Sequence, residues 1–76
     1  MIEAYILFQT EVGTSGAVAR AIGKLDGITT SRAVTGPYDV VALAQVEDLG
    51  QLAKLVDHDI QTVDSVTRSL TCVVHD

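Results

Sequence analysis

The segment ITTSRAVTGPYDVVALAQV, residues 28–46, decides the fold. Two apolar, β-prone runs, Ile28–Val34 and Val40–Val46, flank the five residues Thr35-Gly36-Pro37-Tyr38-Asp39. Those five hold the only proline of the chain and one of its two tyrosines. A short Gly-Pro stretch between such runs reads as the bend of a β-hairpin. The second run is apolar on both sides, with Val41 and Leu43 on one and Val40, Ala42, Ala44 and Val46 on the other. Two-sided apolar strands belong at the centre of a sheet covered on both faces.

Working outward, residues 2–8 form a further strand, nearly as two-sided, carrying Ile2, Tyr5, Ile6, Leu7 and Phe8. Gly13-Thr14-Ser15-Gly16 ends it and caps a helix. Val18, Ala21, Ile22 and Leu25 then fall at helical spacing, with Arg20 and Lys24 on another face. Asp26-Gly27 stops that helix, the glycine suiting a left-handed position. After the hairpin, Asp48 is a good N-cap, and Gln51 three residues later completes a capping box. Leu49, Leu52, Ala53, Val56, Ile60 and Val63 line one side of a second helix, which Leu55 broadens. Asp64-Ser65 breaks the pattern, and Val66–Val74 is the last strand.

The order β-α-β-β-α-β predicts an α+β, ferredoxin-like domain over residues 1–76, with a four-stranded antiparallel sheet and two helices on one face. Strands one and three are its central pair. Both crossovers are right-handed and go to the same side, so the helices cover only one face. The other face needs a cover from outside the chain. A second copy packing sheet against sheet supplies it.

Composition sets the outer bounds. With 76 residues, a single cysteine and no disulfide, a 47% hydrophobic chain gains stability most readily by oligomerising. One cysteine and no secretory signal predict a reduced, cytoplasmic setting. No stretch approaches the length of a membrane helix. Cys72, His58 and His75 form no metal-ligand spacing, and no cofactor motif is present. The formal charge is −5, and the basic residues stand apart at positions 20, 24, 32, 54 and 68. DNA binding draws on clustered Lys and Arg that release counterions, so no direct DNA contact is expected.

At the hairpin, a strand ending in Val34-Thr35-Gly36, then Tyr38-Asp39 before an apolar strand, resembles the effector-binding domain of the Lrp/AsnC (feast/famine) transcription regulators. Leu25-Asp26-Gly27-Ile28 resembles the family's Leu-Pro-Gly-Val step, and Val63-Asp64-Ser65-Val66 its counterpart before the last strand. Ser69 and Thr71 stand where the family often has a Thr-x-Thr pair. Asp26 and Asp64 replace the usual proline, and Ser65 the usual glycine. The chain begins at strand one, so it looks like a stand-alone effector domain without the helix-turn-helix. The resemblance implies dimers joined through their sheets, assembled into octameric or decameric rings, with amino acids bound between neighbouring dimers. It implies a small-molecule effector, an amino acid, and full-length regulators of the family as further partners.

The candidate ligand-binding residues are therefore Thr35, Gly36, Tyr38, Asp39, Ser69 and Thr71. Gly36 lets backbone approach a ligand, free amides there hold a carboxylate, Asp39 accepts from an α-ammonium group, and Tyr38 walls the pocket. The plainer alternative is that Gly36-Pro37 only fixes the hairpin while Asp39 bonds local amides. Strands two and four, with their Thr, Ser and Arg residues, read as half-solvated edges, as sources of ligand-facing hydroxyls, or as an edge where another subunit pairs. No residue is assigned a catalytic role. The competing enzyme reading follows the small dimeric α+β barrel monooxygenases and isomerases and needs a convergent acid/base set. His58 with Tyr5 or Tyr38 is all the chain offers. His58, between Asp57 and Asp59, reads as a solvated histidine at the end of the second helix.

Overall fold

The computed structural model describes all residues, 1–76. The elements are β1 (Ile2–Thr10), α1 (Ser15–Gly23), β2 (Ile28–Ala33), β3 (Val40–Val46), α2 (Leu49–Lys54) and β4 (Val66–Val73). The sheet is fully antiparallel in the order β2-β3-β1-β4, so the two apolar strands are central and the polar ones are edges, as the patterns require.

The central strands alternate strictly. Ala4, Ile6 and Phe8 of β1 are buried beside Ala44, Ala42 and Val40 of β3. Val18, Ala19 and Ile22 of α1, with Leu52, Leu55 and Ile60, close over them and complete the core. Directly opposed residues of antiparallel strands share a face. The registers therefore lay out the other, open face in rows: Gln45–Glu3, then Thr30–Leu43–Tyr5–Cys72, then Arg32–Val41–Leu7–Leu70, then Gln9–Arg68. No element of the chain packs on these rows. Tyr5 and Leu70 are exposed, and Leu7, Val41 and Leu43 are only half-buried.

The second helix departs from its expected course. After α2 the backbone opens into one turn of π-helix, Leu55–Asp59, and closes in a 3₁₀ turn, Ile60–Thr62. The buried positions are Leu52, Leu55 and Ile60. The wider turn, in which the Ile60 amide donates to the Leu55 carbonyl, brings these two side chains onto one face. Leu49 and Ala53 are exposed instead of lining the core; Leu49 opens the first turn, directly after its cap. Asp48 caps the helix as expected, Oδ1 accepting from the Gln51 amide at 2.9 Å, but the return bond of the capping box is displaced by one residue: Gln51 Oε1 accepts from the Glu47 amide at 2.7 Å.

The α1 cap differs. Thr14 holds the N-cap position but its hydroxyl donates backward to the Glu11 carbonyl at 2.7 Å. Leu25 lies beyond the end of α1, half-buried against the core. Gly27 has φ +94°, a conformation that favours glycine, and a Cβ there would lie 3.0 Å from Val46 Cγ1, so a larger residue would also have to push that side chain aside.

Candidate functional site

The connection between β2 and β3 spans residues 34–39 and is held by backbone at both ends. The Val34 amide donates to the Asp39 carbonyl at 2.9 Å, and the Asp39 amide donates to the Phe8 carbonyl at 2.8 Å. Gln9 Nε2 donates to the Pro37 carbonyl at 3.3 Å. The turn is thus fastened to the end of β1 as well as to its own strands.

Asp39 explains how. The β1–β3 ladder ends at the Phe8–Val40 pair, so the Thr10 amide, on the same side of β1 as Phe8, lies just past its end. Asp39 Oδ2 accepts from that amide at 2.8 Å. One residue on, the Glu11 amide donates to the Ser65 carbonyl at 3.0 Å. The carboxylate therefore has a structural duty across 29 positions of sequence. Its second oxygen, Oδ1, has no protein partner within hydrogen-bond distance.

The other candidates fall around this point. Thr35 and Gly36 are exposed, and Tyr38 is half-buried. Gly36 needs no left-handed backbone, and nothing lies within 4 Å of a Cβ placed on it, so its freedom answers no demand inside the chain. Ser69 is opposite Phe8 and Thr71 opposite Ile6, so both lie on the helix side of β4, half-buried. Ser69 shares the turn's end of the sheet but is separated from β3 by β1; Thr71 lies two residues further along. The structure brings the turn, Thr10 and Ser69 to one rim and leaves Thr71 deeper in the sheet.

The concavities of the single chain are elsewhere. A groove of about 470 Å³ runs between α1 and residues 62–65, floored by Val18, Ala21 and Leu25 with Lys24 and Asp64 at its edge. A smaller one of about 300 Å³ lies between Gly27, Val46 and the α2 end. None of the six candidate residues lines either.

Two features escaped the sequence. Thr10 carried no signal, because its importance comes from where the β1–β3 ladder stops. Asp59 holds Lys54 Nζ at 3.2 Å and His58 Nδ1 at 3.0 Å. The hydrogen bond from His58, then that from Lys54, sets its carboxyl below the usual value. His58 is exposed, Tyr5 is on the open sheet face and Tyr38 is in the turn, so the acid/base set of the enzyme reading is not assembled. No group of three or more His, Cys, Asp or Glu side chains gathers to hold a metal ion. No helix is long and apolar enough to cross a membrane.

An antiparallel β2-β3-β1-β4 sheet under two helices, with a polar turn fastened at its rim, defines a ferredoxin-like α+β domain. The model of the Lrp/AsnC ligand binding domain matches residues 3–76, and the chain belongs to that family. Among solved structures, TTHA0845 from Thermus thermophilus is 32% identical, with a TM-score of 0.92 over 100% of this chain and 95% of that one. AsnC from Escherichia coli is 18% identical (TM-score 0.89), the match covering 99% of this chain and 51% of the regulator. The Neisseria meningitidis regulator NMB0573, solved as a complex with L-Met, is 17% identical (TM-score 0.83), with 99% and 50% covered. The chain thus spans about half the length of these two regulators. No curated protein matches it in sequence.

Proposed function

We propose that this domain is a non-catalytic, cytoplasmic amino-acid sensor that pairs through its open sheet face and assembles into higher rings, octameric or decameric. In that assembly it modulates transcription regulators, full-length members of the family included, without touching DNA itself. The observation that carries the reading is the Asp39 carboxylate: one oxygen fixes the turn on Thr10, and the other has no protein partner, in a turn whose Thr35 and Gly36 are exposed. A carboxylate accepting from an ammonium group, next to amides that can hold a carboxylate, is the complement of a free amino acid. The L-Met complex of the meningococcal regulator supports that ligand class. Because the turn lines no cavity of its own chain, a neighbouring dimer closes the pocket, with Tyr38 as a wall and Ser69 and Thr71 as flanking hydroxyls.

The half-buried Tyr38 and the exposed Leu70 and Tyr5 support the reading by offering side chains for contact between copies. A net charge of −5, with its five cations dispersed in sequence, supports the absence of direct DNA contact.

A thermal-shift screen of the twenty amino acids, on protein of measured oligomeric state, tests the reading. A ligand at 100 times its Kd adds about 2.7 kcal/mol of stability. Asp39→Asn keeps an oxygen for the Thr10 amide but loses the charge, and the shift should disappear in it. No shift for any amino acid, or an equal shift in Asp39→Asn, overturns the assignment.

A further inference from the structure

The turn leaves the larger concavity of the chain without a role. That groove, of about 470 Å³, has the size of a small-molecule site and lies in the helix layer, away from the open sheet face. One wall is a single stripe of α1 and the residues just beyond it: Thr14, Ala17, Val18, Ala21, Lys24 and Leu25 recur at three- and four-residue spacing. The other wall is the step from Thr62 to Ser65 that leads into β4.

Ala17 and Ala21 make the room. They stand one turn apart on the stripe, and their short side chains leave the floor to Val18 and Leu25. The groove is apolar along its middle and charged at its edge. Lys24 is the one cation that lines it and Asp64 the one anion, yet neither is in an ion pair. A free cation beside an apolar channel is the complement of a carboxylate on a hydrocarbon chain. Asp64 disfavours a second negative charge on the same molecule.

The way the walls are joined carries occupancy out of the groove. Glu11 holds both. Its carbonyl accepts from the Thr14 amide at 3.1 Å and from the Thr14 hydroxyl at 2.7 Å, and its amide donates to the Ser65 carbonyl at 3.0 Å. One residue back, the Thr10 amide donates to Asp39 Oδ2 at 2.8 Å. A molecule that parts Thr14 from Ser65 therefore pulls on both backbone groups of the residue next to the turn's anchor. The Ser65 wall is the strained one, at φ +74°, and backbone outliers of this kind concentrate at ligand clamps and switches.

We propose that the groove between α1 and residues 62–65 is a second small-molecule site, which takes a short aliphatic monocarboxylate with its acid group on Lys24 and passes its occupancy to the Thr35–Asp39 turn through Glu11. The site goes beyond the amino-acid reading of the turn and does not depend on it. It asks for no ammonium group, and none of the turn residues lines it.

Hexanoate is the probe, because it has no ammonium group to offer Asp39. Calorimetric titration of the wild-type chain should show saturable binding. Lys24→Gln should weaken it about fivefold. Ala21→Leu, which fills the groove, should abolish it, and circular dichroism checks that both variants fold. Hexylamine should bind more weakly than hexanoate, although a net charge of −5 favours the cation over the surface as a whole. With hexanoate bound, amide hydrogen exchange should slow in residues 14–25 and 62–65 and change in step at Thr10 and Asp39. No saturable binding, equal affinity in Lys24→Gln, or a preference for hexylamine overturns the site. Exchange that changes in the groove alone overturns the link to the turn and leaves the site in place. Neither result touches the amino-acid screen, whose failure would leave hexanoate binding as it is.

Discussion

The two faces of the sheet are made from the same strands, yet they behave as different materials. On the covered face, β1 and β3 offer Ala4, Ile6, Phe8, Val40, Ala42 and Ala44, each no more than 1% exposed. On the open face, one residue along each strand, Tyr5 is 48% exposed and Leu70 43%. Alternation within a strand cannot cause the difference, because both faces are apolar. The helix layer causes it, by reaching β2 and β3 with α1 and β3 with α2 and leaving the far side untouched. The covered face holds the monomer together, and the open one stores apolar area for use between chains.

The sharpest way to break that comparison is to cut the same kind of side chain from each face. Phe8→Ala should cost about 3–5 kcal/mol in urea unfolding, because Phe8 is fully enclosed. Leu43→Asp, on the open face, should instead leave a folded chain whose unfolding midpoint no longer rises with protein concentration. Equal losses of monomer stability in the two variants would erase the distinction.

A smaller effect sharpens the account of the edge. Ser65 is the non-glycine residue at positive φ, +74°, immediately before β4. A left-handed L-residue costs about 1–2 kcal/mol. Part of that returns as unfolded-chain entropy when glycine replaces it. Ser65→Gly should therefore stabilise the domain by about 0.5–1 kcal/mol, read by thermal or urea unfolding, whereas Ser65→Val should destabilise it.

The smallest effect belongs to the helix layer. Asp59 has its folded-state pKa lowered from the ordinary 3.8, first by His58 and then by Lys54. A depressed carboxyl stabilises the fold above its unfolded value and loses that contribution as pH falls through the folded value. The melting temperature should fall slightly on acidification through that range, and Asp59→Asn should flatten the fall. Loss on raising the pH instead would reverse the assignment.

Element order, the central pair and the one-sided helix layer were legible in the sequence because each rests on local chemistry. The two-sided run Val40–Val46 reads as a central strand from its own residues. Gly27 reads as a left-handed stop, and Asp48-x-x-Gln51 as a cap. What stayed hidden depends on contacts distant in sequence or on a change of period. The spacing Leu52, Val56, Ile60 fits an ordinary α-helix. Only the closed core shows that a π-turn selects Leu55 over Val56. The candidate turn was legible as a chemically rich bend, and both of its offered roles for Asp39 concerned nearby groups or a ligand. Its actual protein partner is the Thr10 amide, left past the end of the β1–β3 ladder, a stopping point that no residue type announces.

That partner has a mechanical consequence. From the Asp39 carboxylate the chain of contacts runs to the Thr10 amide, along one peptide to Glu11, and on to the Ser65 carbonyl. The loop is therefore not a flap free to swing on its hairpin. A pull on Asp39 is transmitted through two short bonds to the strained step that launches β4, and so across the width of the sheet. Whatever grips the turn grips the far edge with it.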